Sequence, residues 1–443
     1  MRKGCRILFE SYDLDDPNVV LSHSIIQNYS LSKPTNCLDF SLSHEDQIHL
    51  LQKTLDKILQ EKTALLNQNV TQCPECSGKM IKLGHQTSTL HDVFTDHEIS
   101  IQRLRCTECK YEPPCTVRAL INGIMTGSLV KIQSEIGAQY SFRHSEDLLA
   151  LFSRPERKIN NRNRIKNIIH HVGQSLAEID QAEKELIQVD EAAALIVNID
   201  GGHVKTIEAQ RSIEALTSVV YRPEALVPNK KGTRNYLSNK SCAASVLDDN
   251  QEEMINNTVV AALRQGLTPN TYITALCDGA ANCWQVVESL RPLCAGMTCI
   301  LDWFHITMKM QNIALPEKLK NKFLRVKWHL WRGNTEAALT RIKQLINSTK
   351  HSKSKDKLKK FSTYIENNLN RIVDYRARKV KGLVFTSHLA ESTVESLINQ
   401  RCKGQQHMRW SREGLDPILQ LRAKIHTNDW NDKWKTVVLN SVQ

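Results

Sequence analysis

The 443-residue chain contains no run of about 18 or more uncharged apolar residues, the length a membrane-spanning helix needs. Its start, Met1-Arg2-Lys3-Gly4-Cys5, lacks the apolar core of a secretory signal, so a cytoplasmic protein is expected. No Gly-x-Gly-x-x-Gly follows a strand-like run, which removes a dinucleotide-binding Rossmann domain from consideration. Acidic residues are in deficit, 47 Asp and Glu against 59 Lys and Arg, for a net charge of +12. A balance of that sign suits a polyanionic partner and says nothing about fold.

The deficit is local. Residues 306–382 hold 20 Lys and Arg against 5 Asp and Glu, so the remainder of the chain is close to neutral. Thirteen cysteines without a secretory signal point to reduced thiols and metal ligation instead of a disulfide framework. A chain of this length is expected to form about two to four folding units.

Three apolar runs end on an aspartate: 195–200 on Asp200, 272–278 on Asp278 and 297–302 on Asp302. Short β-rich runs of this kind read as buried strands, and ligands and metals bind at strand ends in α/β sheets. Further strands are expected over 216–221 and 241–247, and helices over 252–265 and, after Gly279-Ala280-Ala281-Asn282, on to Leu290. A meander of strands followed by alternating helix and strand suits a ribonuclease-H-like core.

Residues 1–40 carry weak patterning and are expected to pack loosely. Apolar residues at helical spacing from 44 to 66 predict a long amphipathic helix whose stripe is core or a dimer seam, core being preferred for want of three clean heptads. Two knuckles follow, Cys73-Pro74-Glu75-Cys76 and Cys106-Thr107-Glu108-Cys109. Two Cys-x-x-Cys pairs can place four thiolates tetrahedrally on one Zn²⁺, with extended hairpin strands between them. Cys115 reads as a spectator. Residues 128–178 read as three helices, the last bearing Arg162, Arg164 and Lys166; this fits a helix-turn-helix entering a major groove, or a plain helical bundle. The basic segment after His305 is helical and carries Trp328, Trp331 and Tyr364 among its lysines, as a duplex-gripping surface would.

Two-metal phosphodiester chemistry needs acidic ligands holding two ions about 3.5–4 Å apart. Mg²⁺, or Mn²⁺, prefers oxygen donors. Asp200, Asp278 and Glu395 supply such a set. Each also has a purely structural reading: Asp278 and Asp302 as helix N-caps, and Ser392-x-x-Glu395 as a capping box.

At this point the chain resembles the DDE-class insertion-sequence transposases of the ISKra type, which are related to ISL-type and Mutator-like enzymes. The matching residues are Ile199-Asp200-Gly201-Gly202, Asp278-Gly279-Ala280, Asp302-Trp303-Phe304-His305, Leu330-Trp331-Arg332-Gly333 with Ala338-Leu339, Val394-Glu395-Ser396, Met408-Arg409-Trp410-Ser411 and Leu421-Arg422-Ala423. With the two knuckles they span 73–434. The resemblance implies a ribonuclease-H-like domain with an all-helical insertion ahead of the third acidic ligand. Asp200, Asp278 and Glu395 would be the metal ligands, Glu391 being the rival to Glu395. Asp302 and His305 would be auxiliary, and Arg409 and Trp410 would contact DNA.

The expected organisation is a multidomain α/β protein. It comprises an N-terminal region (1–70), a zinc ribbon (71–120), a helix-turn-helix-like DNA-binding region (121–190), the first part of the core (191–305), the basic insertion (306–385) and the C-terminal helices of the core (386–443). The expected function is cleavage of transposon ends and strand transfer into target DNA. A homo-oligomer is expected when two ends are synapsed, with the bacterial protein nucleoid-associated when on DNA. The competing class is a catalytically inactive or repurposed zinc-containing DNA-binding protein.

Overall fold

The computed structural model describes residues 3–67, 71–112, 124–154, 157–228, 231, 235–387, 392–393, 395–403 and 408–440; Cys115, Glu391 and Val394 fall outside them. The chain divides into two compact units, Met1–Ile168 with Asp432–Gln443, and Ile169–Asn431.

The first unit opens on an antiparallel hairpin of β1 (Lys3–Tyr12) and β2 (Val20–Leu31). Both strands leave most residues exposed, so burial imposes little period-two signal on the sequence. Helix α1 (His44–Asn67) turns its stripe to the core: Leu59 and Leu66 pack on Leu90, Ile99 and Ile101. Those three residues belong to a second hairpin, β3 (Met80–His91) and β4 (Asp96–Cys106), whose register slips around Gly84 at φ +99°. Three helices follow: α2 (Gly127–Gln139), α3 (Phe142–Phe152) and α4 (Arg162–Glu183). Their starts are fixed by side-chain caps, Thr126 accepting from Leu129 N, Ser141 from His144 N, and Asn161 Oδ1 from Arg164 N. The boundary between the two units falls within α4.

The second unit is built on a mixed sheet. Strands β5 (Ala194–Lys205), β6 (Ser212–Tyr221) and β9 (Ser241–Ser245) pair antiparallel as a meander, and β7 (Leu226–Pro228) and β8 (Asn235–Leu237) form a small ribbon between the last two. Strands β10 (Tyr272–Cys277) and β11 (Gly296–Leu301) then add in parallel on the other side of β5. Among the described residues the order is β11-β10-β5-β6-β9. Parallel neighbours require crossovers, supplied by α5 (Glu252–Arg264) ahead of β10 and α6 (Ala281–Glu288) between β10 and β11. Residues 195–199 are buried on both faces, which explains their nearly unbroken apolar text.

After β11 the same unit becomes helical through α7 (Trp303–Gln311), α8 (Glu317–Trp331), α9 (Thr335–Ser348), α10 (Ser352–Glu366) and α11 (Tyr375–Val380). The Trp-Arg-Gly run marks one turn here: Gly333 at φ +69° ends α8, and Asn334 Oδ1 accepts from Ala337 N to start α9. A π-helix spans Glu395–Asn399, and α12 (Arg412–Thr427) and α13 (Trp430–Asn440) follow. Helix α12 meets α4 at Gly173, where a methyl group would lie 2.1 Å from Pro417 O. Among the described residues no helix is long and apolar enough to cross a membrane.

Candidate metal centres

Strand register brings the aspartates together. In the parallel pairing Cys277 lies beside Ile199 on one side and Leu301 on the other, so Asp278 and Asp302 leave β10 and β11 at the level of Asp200, which lies within β5, a strand that continues to Lys205 and does not end at the aspartate. Metal-ligating atoms of Asp200, Asp278 and His305 all lie within 4.8 Å of one another. Each aspartate spends one oxygen locally: Asp200 Oδ1 accepts from Gly201 N at 2.8 Å, and Asp278 Oδ1 from Ala280 N at 2.8 Å. His305 Nε2 stands 3.9 Å from Asp200 Oδ2 and 3.6 Å from Asp302 Oδ2. Burial raises the Asp200 carboxyl above the usual range, with the charges of Asp278 and Asp302 adding to it and His305 opposing.

Asp302 has a different role. It is fully buried, caps α7 by accepting from Phe304 N at 3.1 Å, and accepts from both the backbone N–H (3.1 Å) and the hydroxyl of Ser387. The cap reading of Asp302 therefore holds, and its charge sits behind His305. The Asp-x-x-His spacing, one helical turn, is the sequence signal that sets His305 beside the two other aspartates.

Glu395 is outside that close group. It is exposed at the start of the π-helix, and its carboxylate accepts a hydrogen bond from the Asn399 side chain. Its helix is nevertheless seated on the strand that carries Asp200: a methyl at Gly202 would lie 3.3 Å from Ile398 Cδ1. Arg422, buried in α12, donates to the carbonyls of Leu397 (2.7 Å) and Ser396, which accounts for the Leu-Arg-Ala motif. Trp410 is only 7% exposed. Its N–H donates to Lys205 O at 3.0 Å, its carbonyl accepts from Ile207 N, its indole donates to Cys402 O, and Arg401 lies 5.0 Å over its ring. This makes Trp410 a staple at the end of β5 and corrects its expected DNA contact, since a buried indole is closed to a nucleotide. Arg409 is exposed, as are Arg162, Arg164 and Lys166 at the start of α4.

The aromatics of the basic segment also differ from expectation. Tyr364 donates to Asp278 O at 2.8 Å and Tyr375 to Leu301 O at 2.7 Å. Trp331 packs on Tyr375 and Trp303, the Tyr375 ring nearly parallel at 6.1 Å. These rings clamp the helical segment onto the backbone of the aspartate loops and are not a nucleic-acid face. Trp328, 52% exposed, stays on the surface, near in sequence to the exposed Lys320, Lys322 and Arg325. Tyr375 and Ser387 are residues that sequence reasoning missed, and Tyr364 one to which it gave another role, because their partners are backbone atoms or a carboxylate about 75–85 positions away with no local spacing rule.

The four knuckle cysteines form a second group within 4.8 Å, in the first unit. Cys73 and Cys109 sulfurs are 3.6 Å apart, and Cys76 lies 3.4 Å from both Cys106 and Cys109. Four thiolates around one zinc would stand about 3.8 Å apart, so little adjustment is needed. Both knuckles turn alike, with Ser77 and Lys110 in the left-handed region directly after the second cysteine. Burial opposes ionisation of Cys106, but the N–H groups of Cys109 and Glu108 outweigh it and pull the thiol down to about 7.

Comparison with curated proteins gives no match. The family model of an uncharacterised protein family matches residues 131–436, well over half of the sequence, and the chain belongs to that family, UPF0236.

Proposed function

We propose that this protein is a DDE-class transposase of the insertion-sequence type, with a ribonuclease-H-like core, acting on the ends of its own element. The observation that carries the reading is electrostatic. Asp200 and Asp278 are held side by side and half-buried, and among the described residues neither forms an ion pair with Lys or Arg. Two close carboxylates without a fixed countercharge favour a divalent cation.

The donor set fits Mg²⁺ or Mn²⁺: carboxylate oxygens with one imidazole. Asp200 and Asp278 would hold the ions, with Glu395 as third carboxylate. Bound there, two ions would activate the attacking oxygen and stabilise the leaving one. The protein's own part is positioning. The Gly201 and Ala280 amides orient the two aspartates, Asp302 and Ser387 fix the start of the His305 helix, and Tyr364 holds the Asp278 loop. Exposed lysines of the helical insertion would meet backbone phosphates, and Zn²⁺ on the four cysteines would hold the open end of the β3–β4 hairpin.

The second reading, a catalytically inactive DNA-binding protein, is favoured by one observation: Glu395 stands outside the close group. A supercoiled plasmid carrying the element ends separates the two. The transposase reading expects Mg²⁺-dependent nicks at the ends and joining of freed 3′-hydroxyls to target DNA. Asp200→Ala, Asp278→Ala and Glu395→Ala should each abolish this and leave gel-shift binding intact. Binding without cleavage by the unaltered protein would establish the second reading instead.

A further inference from the structure

The first unit carries a groove of about 750 Å³ that has no part in either metal group. One wall is the turn of the β3–β4 hairpin, with His91 and Asp96; the other is Arg154 together with Arg157, Lys158 and Arg164 at the approach to α4; Ile124 and Ile159 line it between them. Arg157 builds the groove. Its side chain is 4% exposed and donates to the carbonyls of Asp92, Val93 and Thr95 and to the Asp96 carboxylate, so its charge is spent inside the protein. His91 Nδ1 shares the same carboxylate at 2.7 Å. With Asp96 neutralised, three lining cations are left: Arg154, Lys158 and Arg164 are exposed, and among the described residues none has an acidic partner.

We propose that this groove binds the sugar-phosphate backbone of duplex DNA, with Arg154, Lys158 and Arg164 on successive phosphates. The proposal rests on the reading that the protein works on DNA. Like charges gathered on one concave wall repel one another and are relieved by a run of phosphates, while an apolar floor of two isoleucines tolerates deoxyribose. The hairpin wall is continuous with the Cys106 knuckle, so the thiol cluster and the groove belong to one folded module.

The test is the salt dependence of binding by the full chain to a short fluorescent duplex of scrambled sequence, with Arg154→Gln, Lys158→Gln and Arg164→Gln combined in one variant. Because the three side chains are exposed, the melting temperature and zinc content of the variant are measured alongside to establish an intact fold. Removal of three phosphate contacts should shallow the slope of log K against log[salt] by about 2–3. An unchanged slope in the triple variant, absence of duplex binding by the unaltered protein, or equal affinity for single-stranded RNA overturns the groove. If the slope falls but plasmid ends are never cleaved, the transposase reading fails and the groove stands; cleavage with an unchanged slope has the opposite meaning.

Discussion

Asp200 shows how function opposes stability at a single residue. Its folded-state carboxyl is raised, chiefly by burial. Such a group contributes stability below the unfolded value of about 3.9 and loses it as pH rises through the folded value, so at neutral pH its ionised form is a burden. Asp200→Asn should therefore raise the melting temperature in Mg²⁺-free buffer at neutral pH, by about 2–4 °C if about 1 kcal/mol is relieved, while abolishing cleavage. The gain should shrink as pH falls toward the unfolded value of about 3.9. His426 behaves in the opposite sense. Burial first, then the charges of Arg422 and Lys240, push it down to about 4. Stability present above about 6.5 is then lost as pH falls toward 4, and His426→Gln should flatten that acid limb in melting curves. Tyr364→Phe removes only the hydroxyl that holds Asp278 O. A loosened loop should reduce cleavage about tenfold, the effect of about 1.4 kcal/mol, with little change in DNA affinity.

At the scale of elements, the glutamate helix depends on its neighbours. Arg422 closes carbonyls that an ordinary helix would satisfy itself, at a π-helical turn of the kind that recurs at functional sites. Arg422→Met should leave Ser396 and Leu397 carbonyls unpaired in the core, lower stability by about 1–3 kcal/mol, and abolish cleavage. Gly173→Ala pushes a methyl group into Pro417 O and should destabilise the α4–α12 packing by on the order of 3 kcal/mol, read as a lowered denaturation midpoint. The legibility of the sequence follows the same physics. The stretch 195–199, buried on both faces, announces itself through nearly unbroken apolar text, and the aspartate that follows it is visible for that reason. The knuckles are legible because metal geometry fixes Cys-x-x-Cys spacing. The β1–β2 hairpin was hidden because it buries little, and Trp331, Tyr364 and Trp410 misled because an aromatic among basic residues reads the same whether it faces DNA or a distant backbone carbonyl.

On the scale of the whole molecule, the two candidate metal groups sit in different compact units, Cys73–Cys109 in one and Asp200–His305 in the other. Metal dependence should divide accordingly. Cys106→Ser should cost the zinc content and the thermal transition of the first unit, because a structural zinc contributes its binding energy to folding. The transition of the sheet unit should persist. The charge distribution adds a second division, since the +15 of residues 306–382 lies in the sheet unit and the Arg154–Arg164 groove in the other.

The central claim is that the half-buried Asp200 and Asp278, brought together by adjacent strands, exist to hold divalent cations. Titration of Mn²⁺ by electron paramagnetic resonance on zinc-loaded protein tests it most directly. The account predicts saturable binding that is lost in Asp200→Ala and in Asp278→Ala and retained in Tyr364→Phe. Unchanged Mn²⁺ binding in both aspartate variants would contradict it.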